Sequence, residues 1–146
     1  MRTIGVNNLR LALRRLKKRF SPSGLILLYH RIAETRSDPW GLCVSPRHFA
    51  EHLEVLTRQR SVVSLQQMVQ TLEGGNLPRR AIALTFDDGY ADNLHNAKPL
   101  LERFQVPATV FMTTGWLGQE HSFWWDQLDR LLLQTDSLPE TLQLTI

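Results

Sequence analysis

The sequence predicts an α/β fold built on a parallel sheet, and three observations carry that expectation. Its apolar segments are short continuous runs, LILLY at 25–29, AIALTF at 81–86 and VPATVFMT at 106–113, where a half-solvated antiparallel strand would alternate. Between them lie stretches of helical periodicity with recognisable starts and stops. The connections are long enough for right-handed crossovers between parallel strands. A barrel and an open sheet both satisfy these features, and in both, ligands gather at the C-terminal ends of the strands.

In chain order, Leu25 to Tyr29 reads as a buried strand with His30 and Arg31 at its C-terminal end, and Ala33 to Val44 reads as a loop. Ser45-Pro46 sets an N-cap and a first-position proline for a helix reaching about Arg60, with Phe49, Leu53 and Leu56 on one face. Val62 and Val63 form a minimal strand. Ser64 and Gln67 form a capping-box pattern for a helix that Gly74-Gly75 ends. After the strand Ala81–Phe86, helix extends to Gln105, with Pro99 kinking it or starting its second half. Val106 to Thr113 is the next strand and Phe123 to Gln134 the next helix. Leu142 to Ile146 opens a further strand.

The chain has 146 residues, enough for one domain of ordinary size or part of a larger one. A single cysteine, Cys43, excludes a disulfide framework and any zinc site built on several cysteines, and it suits a reducing compartment. The longest uncharged stretch ends at Gln119 and contains Pro107, Gly115 and Gly118, so it is too short and too broken to span a membrane.

The net charge of +3 divides unevenly. Residues 1–20 hold seven basic residues and no acidic one, which leaves −4 on the remaining 126. Residues 1–22 thus form a basic leader with Leu9, Leu13, Leu16 and Phe20 at helical spacing, a basic amphipathic N-terminal helix. It lacks the apolar core of a secretory signal. It can pack its leucines on the body, lie on an anionic membrane surface, or act as a nucleic-acid arm. The acidic body argues against nucleic acid as a partner. Without a signal or span the expected place is the cytoplasm, with peripheral contact through residues 1–20 at the inner face of the cytoplasmic membrane.

Thr85-Phe86-Asp87-Asp88-Gly89 is the most informative segment. Two adjacent carboxylates close a buried strand, and both reach one site only if the strand ends there, a turn that Gly89 permits. Carboxylates this close repel unless a positive group lies beside them; a divalent metal resolves the conflict, one carboxylate binding the ion and the other accepting a proton from water. Asp-Asp-Gly is also good surface-turn chemistry.

The stretch LTFDDGYADNLHNAKPLLERFQVPATVFMTTGWLG resembles the polysaccharide deacetylase family, also called the NodB homology domain or carbohydrate esterase family four. The resemblance begins with ILLYHRI, continues through SPRHFAEHLEVL and VVSLQQMV, and takes in FWWDQLDRLLLQ as an insertion found in some bacterial members. It implies a deformed (β/α) barrel, of which residues 23–146 would be the N-terminal part, and metal-dependent removal of N- or O-acetyl groups from a glycan with acetylated amino sugars. On the family's pattern Asp87 is the general base and Asp88 a ligand of the metal, usually zinc. The family's remaining ligands are histidines in an H-[ST]-x-x-H segment, with a later arginine-aspartate segment and a C-terminal histidine acid. None of these stands here, since His95 and His121, the histidines after Asp88, lie in no such segment. The expectation for this chain alone is therefore little or no activity. A non-catalytic carbohydrate-binding or interaction module of the same fold is the alternative. His30, at the end of the first strand, is expected to line the site.

His48-Phe49-Ala50-Glu51-His52 matches the H-x-x-E-H order of inverzincin metalloproteases. Phe49, Leu53 and Leu56 define the buried face here, however, with His52 at its edge and His48 further round, so an ordinary amphipathic helix is expected. Trp116, Trp124 and Trp125 could stack on sugar rings, but Trp124, Leu128 and Leu131 at helical spacing read as a core stripe; Trp125 is left open.

Overall fold

The computed structural model describes residues 23–59, 61–118, 122–138 and 140–141. The expected leader helix and the strand at 142–146 lie outside them. Within them the order is β1 (Gly24–Tyr29), β2 (Arg31–Ile32), β3 (Cys43–Val44), α1 (Pro46–Gln59), β4 (Ser61–Val62), α2 (Leu65–Glu73), β5 (Ala81–Phe86), a π-helical turn (Asn93–Ala97) running into α3 (Lys98–Phe104), β6 (Ala108–Val110), a 3₁₀ turn (Thr114–Trp116) and α4 (Trp124–Leu132).

Every strand pairing is parallel, as the continuous apolar runs require. Strand β5 is the centre of the sheet. On one side β1 pairs along its whole length, from Gly24↔Ala81 to Tyr29↔Phe86. On the other side β4 takes the first half of β5 and β6 the second. All six residues of β5 are therefore buried. Ile82, Leu84 and Phe86 face Phe49, Leu53 and Leu56 of α1 together with Ala97. The alternate residues Ala81 and Ala83 face Met68 and Leu77. This two-sided burial needs the 2-residue side-chain period of a strand to meet helices on both faces. The described residues make a parallel α/β layer and no closed barrel.

Local sequence signals are obeyed closely. The Ser45 hydroxyl accepts the His48 N–H at 3.2 Å. Ser64 and Gln67 form the reciprocal capping box, at 3.1 Å in each direction. Pro99, which has no N–H to complete the ladder, sits at the start of α3, and the turn before it widens to a π-helix.

Three expectations are corrected. Residues 33–44 are not all loop, because Cys43–Val44 pairs with Arg31–Ile32. Strand β6 is shorter than Val106–Thr113: Pro107 cannot donate to the ladder, and the chain leaves the sheet after Val110, where the Phe111 N–H still bonds the Phe86 carbonyl at 2.8 Å. Strand β1 is not buried, with Leu25, Ile26 and Leu28 each about half exposed, because among the described residues it has a partner on one side only.

Candidate active site at the carboxyl end of the central strand

The site residues follow from where the two longest strands stop. Strand β5 ends at Phe86, and the Asp87 N–H carries the ladder one step further to the Tyr29 carbonyl at 3.0 Å. This places the backbone of His30 beside that of Asp87, at the carboxyl edge of the sheet where α/β proteins bind ligands. Tyr29 fixes the end of β1 by packing on Phe86 and Phe49, with ring centroids 5.5 and 5.2 Å apart. Burial raises its phenol pKa above the usual tyrosine value.

The backbone then reverses abruptly. Asp88 has φ of 67° and Gly89 of 69°, two successive left-handed residues, and the Gly89 N–H returns to the Asp87 carbonyl at 2.8 Å. A left-handed aspartate is strained relative to a regular strand residue, and such strain concentrates at functional sites. Gly89 is required twice over. Its φ suits glycine, and a Cβ there would stand 2.6 Å from Met112 Sδ and 2.9 Å from Met112 Cε. Asp88 lines a cavity of about 370 Å³ together with Met112, Trp116, Phe123 and Asp126. Trp116 and Trp125 both pack on Phe123, the latter stacked at 4.6 Å, so the cavity has an aromatic wall.

Around this turn runs a polar network that the sequence reading did not find. The Asp92 carboxylate accepts from Arg31 Nε at 2.9 Å and from the Ile32 N–H at 3.0 Å. The Asn96 amide donates to the Ile32 carbonyl at 2.8 Å, so β2 is tied to the helix that follows the aspartates. The Arg31 guanidinium lies over the Tyr90 ring, 4.4 Å from its centre. Burial alone would lower the Arg31 pKa, but the hydrogen bond and charge of Asp92 outweigh it and raise it. The Tyr90 hydroxyl accepts from Trp125 Nε1 at 2.7 Å and donates to Asp126 at 3.3 Å. Burial first, then the Asp126 charge, pushes its pKa up to about 12, against the lowering effects of Trp125 and Arg31. The network joins residues about 60 and 36 positions apart in sequence, so no local spacing could have revealed it. The one available hint was Asp92, an acid in the first turn of a helix just beyond the paired aspartates.

The other candidates separate from this site. His48 and His52 are exposed on α1. His52 Nδ1 lies 3.3 Å from the Tyr29 hydroxyl, and Glu51 pairs with Arg47 at 3.2 Å. Among the described residues, no three His, Cys, Asp or Glu side chains are grouped so as to hold a metal ion. The H-x-x-E-H pattern is therefore helix surface. The same observation tests the metal implied by Asp88: one carboxylate turn is present, but the described residues do not complete a three-ligand site. The expected core stripe of α4 is also overturned. Trp124, Leu128 and Leu131 are 59%, 45% and 66% exposed, while Trp125 turns inward onto Tyr90 and Phe123. The hydrogen bonds of Tyr90 and Ser37 select which face of the helix docks.

Comparison with known proteins agrees with the fold. Residues 74–135, which contain β5, the aspartate turn and β6, match the family model described as polysaccharide deacetylase. The chain resembles the polysaccharide deacetylases in both sequence and fold. It is 26% identical over 112 residues to the poly-β-1,6-N-acetyl-D-glucosamine N-deacetylase of Staphylococcus aureus, covering 68% of this chain and 39% of that protein. It is 27% identical over 108 residues to YxkH of Bacillus subtilis, named for the same family, covering 73% and 37%. Among solved structures it matches the Streptococcus pyogenes deacetylase PplD in complex with acetate at 26% identity and TM-score 0.58, covering 72% of this chain and 50% of that one. IcaB from Ammonifex degensii matches at 27% identity and TM-score 0.59, covering 75% and 48%. The chain thus spans less than two-fifths of these curated relatives and half or less of the solved chains.

Proposed function

We propose that this chain carries the general-base part of a metal-dependent glycan deacetylase that hydrolyses N- or O-acetyl groups on acetylated amino sugars. The observation that carries the proposal is the Thr-Phe-Asp-Asp-Gly turn at the carboxyl end of the central buried strand, within a fold shared with deacetylases. Asp87 takes the proton from the water that attacks the acetyl carbonyl carbon, and the tetrahedral intermediate then expels the amine or alcohol, whose leaving atom is protonated by an acid from outside the described residues. Asp88 offers one ligand to a divalent metal, zinc on the family's pattern, and the remaining ligands come from outside the described residues. His30, beside Asp87, lines the glycan site, and the aromatic wall at Trp116 and Phe123 offers a sugar-stacking surface. Residues 1–20 hold the protein peripherally at the inner face of the cytoplasmic membrane.

Acetate release from acetylated glucosamine oligomers tests the chemistry. The chain alone is expected to be nearly inactive with or without zinc, and to gain activity when supplied with the missing ligand segment. Asp87→Asn should then abolish that gain, and equal rates for the two would remove Asp87 from the reaction. The alternative is a glycan-binding module of the same fold without catalysis. Glycan affinity unaffected by zinc and by Asp87→Asn, with no acetate released in any form, would select it.

A further inference from the structure

The cavity beside the aspartate turn is walled by three described segments: the turn itself through Asp88 and Tyr90, the stretch after β6 through Met112 and Trp116, and the start of α4 through Phe123 and Asp126. Its volume of about 370 Å³ is that of a small-molecule site. Two carboxylates, Asp88 and Asp126, line it, and among the described residues no lysine, arginine or histidine does. Tyr90 and Trp116 both pack edge-on against Phe123, with ring centroids 5.1 and 5.3 Å away. Carboxylates beside aromatic rings attract a cation and disfavour an anion. Asp126 is held in place yet only half used. The Tyr90 hydroxyl accepts from Trp125 Nε1 at 2.7 Å, which leaves its own proton for Asp126 Oδ1 at 3.3 Å. Arg31 Nη1 reaches the same oxygen at 4.0 Å, while its Nε is committed to Asp92 at 2.9 Å. Asp126 Oδ2 has no hydrogen-bond or ion-pair partner among the described residues.

We propose that this cavity, through Asp126, receives the ammonium group of an amino sugar that has already lost its acetyl group, next to the sugar being deacetylated. The inference rests on the deacetylase reading of the aspartate turn, because that hydrolysis converts a neutral acetamide and water into acetate and a primary amine, which takes up a proton near neutral pH. A fully acetylated glycan carries no such charge, so the sign of the cavity tells the two states of a neighbouring sugar apart. The aromatic rings stack on either sugar, and the carboxylate adds a contact that only the ammonium form can use. Asp126 is then a specificity-determining residue. Sugars beside an existing free amine are bound in preference, and deacetylation proceeds in runs along the glycan.

The test is calorimetric titration of the full chain with short oligomers of glucosamine and of N-acetylglucosamine. Wild type should bind the glucosamine oligomer at least about tenfold more tightly. Asp126→Asn keeps the side-chain volume and an acceptor for Tyr90, so it should bring the two affinities together, while Asp88→Asn should keep most of the difference. A second measurement on wild type does not depend on any variant folding. Raising the pH through the titration of the sugar's amine should lower the glucosamine affinity to that of the acetylated oligomer, whose own affinity stays constant. Equal affinities in wild type, or no binding of the glucosamine oligomer, overturn the proposal. So does a preference that survives deprotonation of the amine, or one that survives Asp126→Asn and is lost in Asp88→Asn, which assigns the amine to the turn. Titration involves no turnover. Acetate release with equal affinities therefore removes only this site, and a preference without acetate release removes the reaction assigned to Asp87.

Discussion

Replacing Gly89 by alanine separates two costs that the aspartate turn combines. Gly89 and Gly75 have nearly equal left-handed φ, 69° and 71°, but a Cβ at Gly75 meets nothing within 4 Å, whereas at Gly89 it meets Met112 at 2.6 Å. Gly75→Ala therefore reports the conformational cost alone, about 1 kcal/mol. Gly89→Ala adds the displacement of the Met112 side chain from its position, about another 1–2 kcal/mol for an off-rotamer shift and lost contacts. The expected loss is about 2–3 kcal/mol, read as a lower urea midpoint at unchanged slope. Met112 is 49% exposed, so Met112→Ala costs little by itself. In the Gly89→Ala background it should recover most of the steric part and none of the conformational part. Equal destabilisation by Gly75→Ala and Gly89→Ala, or no rescue by Met112→Ala, would refute the reasoning that Met112 closes over the turn.

The remaining expectations concern the polar groups around the same site. Asn93 is buried, and neither its amide nitrogen nor its oxygen finds a hydrogen-bond partner among the described residues, so Asn93→Leu should raise stability by about 1–2 kcal/mol in urea titration; a loss would mean the amide has a partner in solution. Asp92→Ala strands Arg31 and the Ile32 N–H together and should cost about 2–4 kcal/mol, with a double-mutant cycle against Arg31→Met showing coupling; additive losses would argue against the pair. Tyr90 titrates near 10 when unfolded and at about 12 when folded, so the unfolded chain loses its proton first. Its stabilising contribution is complete below pH 10 and is lost as pH rises toward 12; the stability difference between wild type and Tyr90→Phe should shrink over that window, and a constant difference would contradict the shift. Burial and the Asp38 charge raise the Cys43 pKa, so its alkylation by iodoacetamide near neutral pH should be slower than that of the unfolded chain, and equal rates would show the thiol to be unperturbed.

The sequence by itself determined the elements whose causes are local. The caps at Ser45 and Ser64 and the interruption at Pro99 each depend on neighbours within a few residues, and all were legible. So was the Asp87–Asp88–Gly89 turn as a candidate site, because a strand end, two acids and a glycine are contiguous. What depended on sheet neighbours was not legible. LILLY is as apolar as AIALTF, yet among the described residues β5 has strands on both sides and β1 on one, so a similar composition gives a buried centre and a half-exposed edge. Helix α4 makes the point most clearly. Its leucine and tryptophan period predicts an inward stripe, but Asp126 and Asp129 find hydrogen-bond partners from distant Tyr90 and Ser37, while Trp125 joins Phe123 and Tyr90. Periodicity fixes which residues share a face of a helix; which face turns inward is decided by what the rest of the fold presents to it.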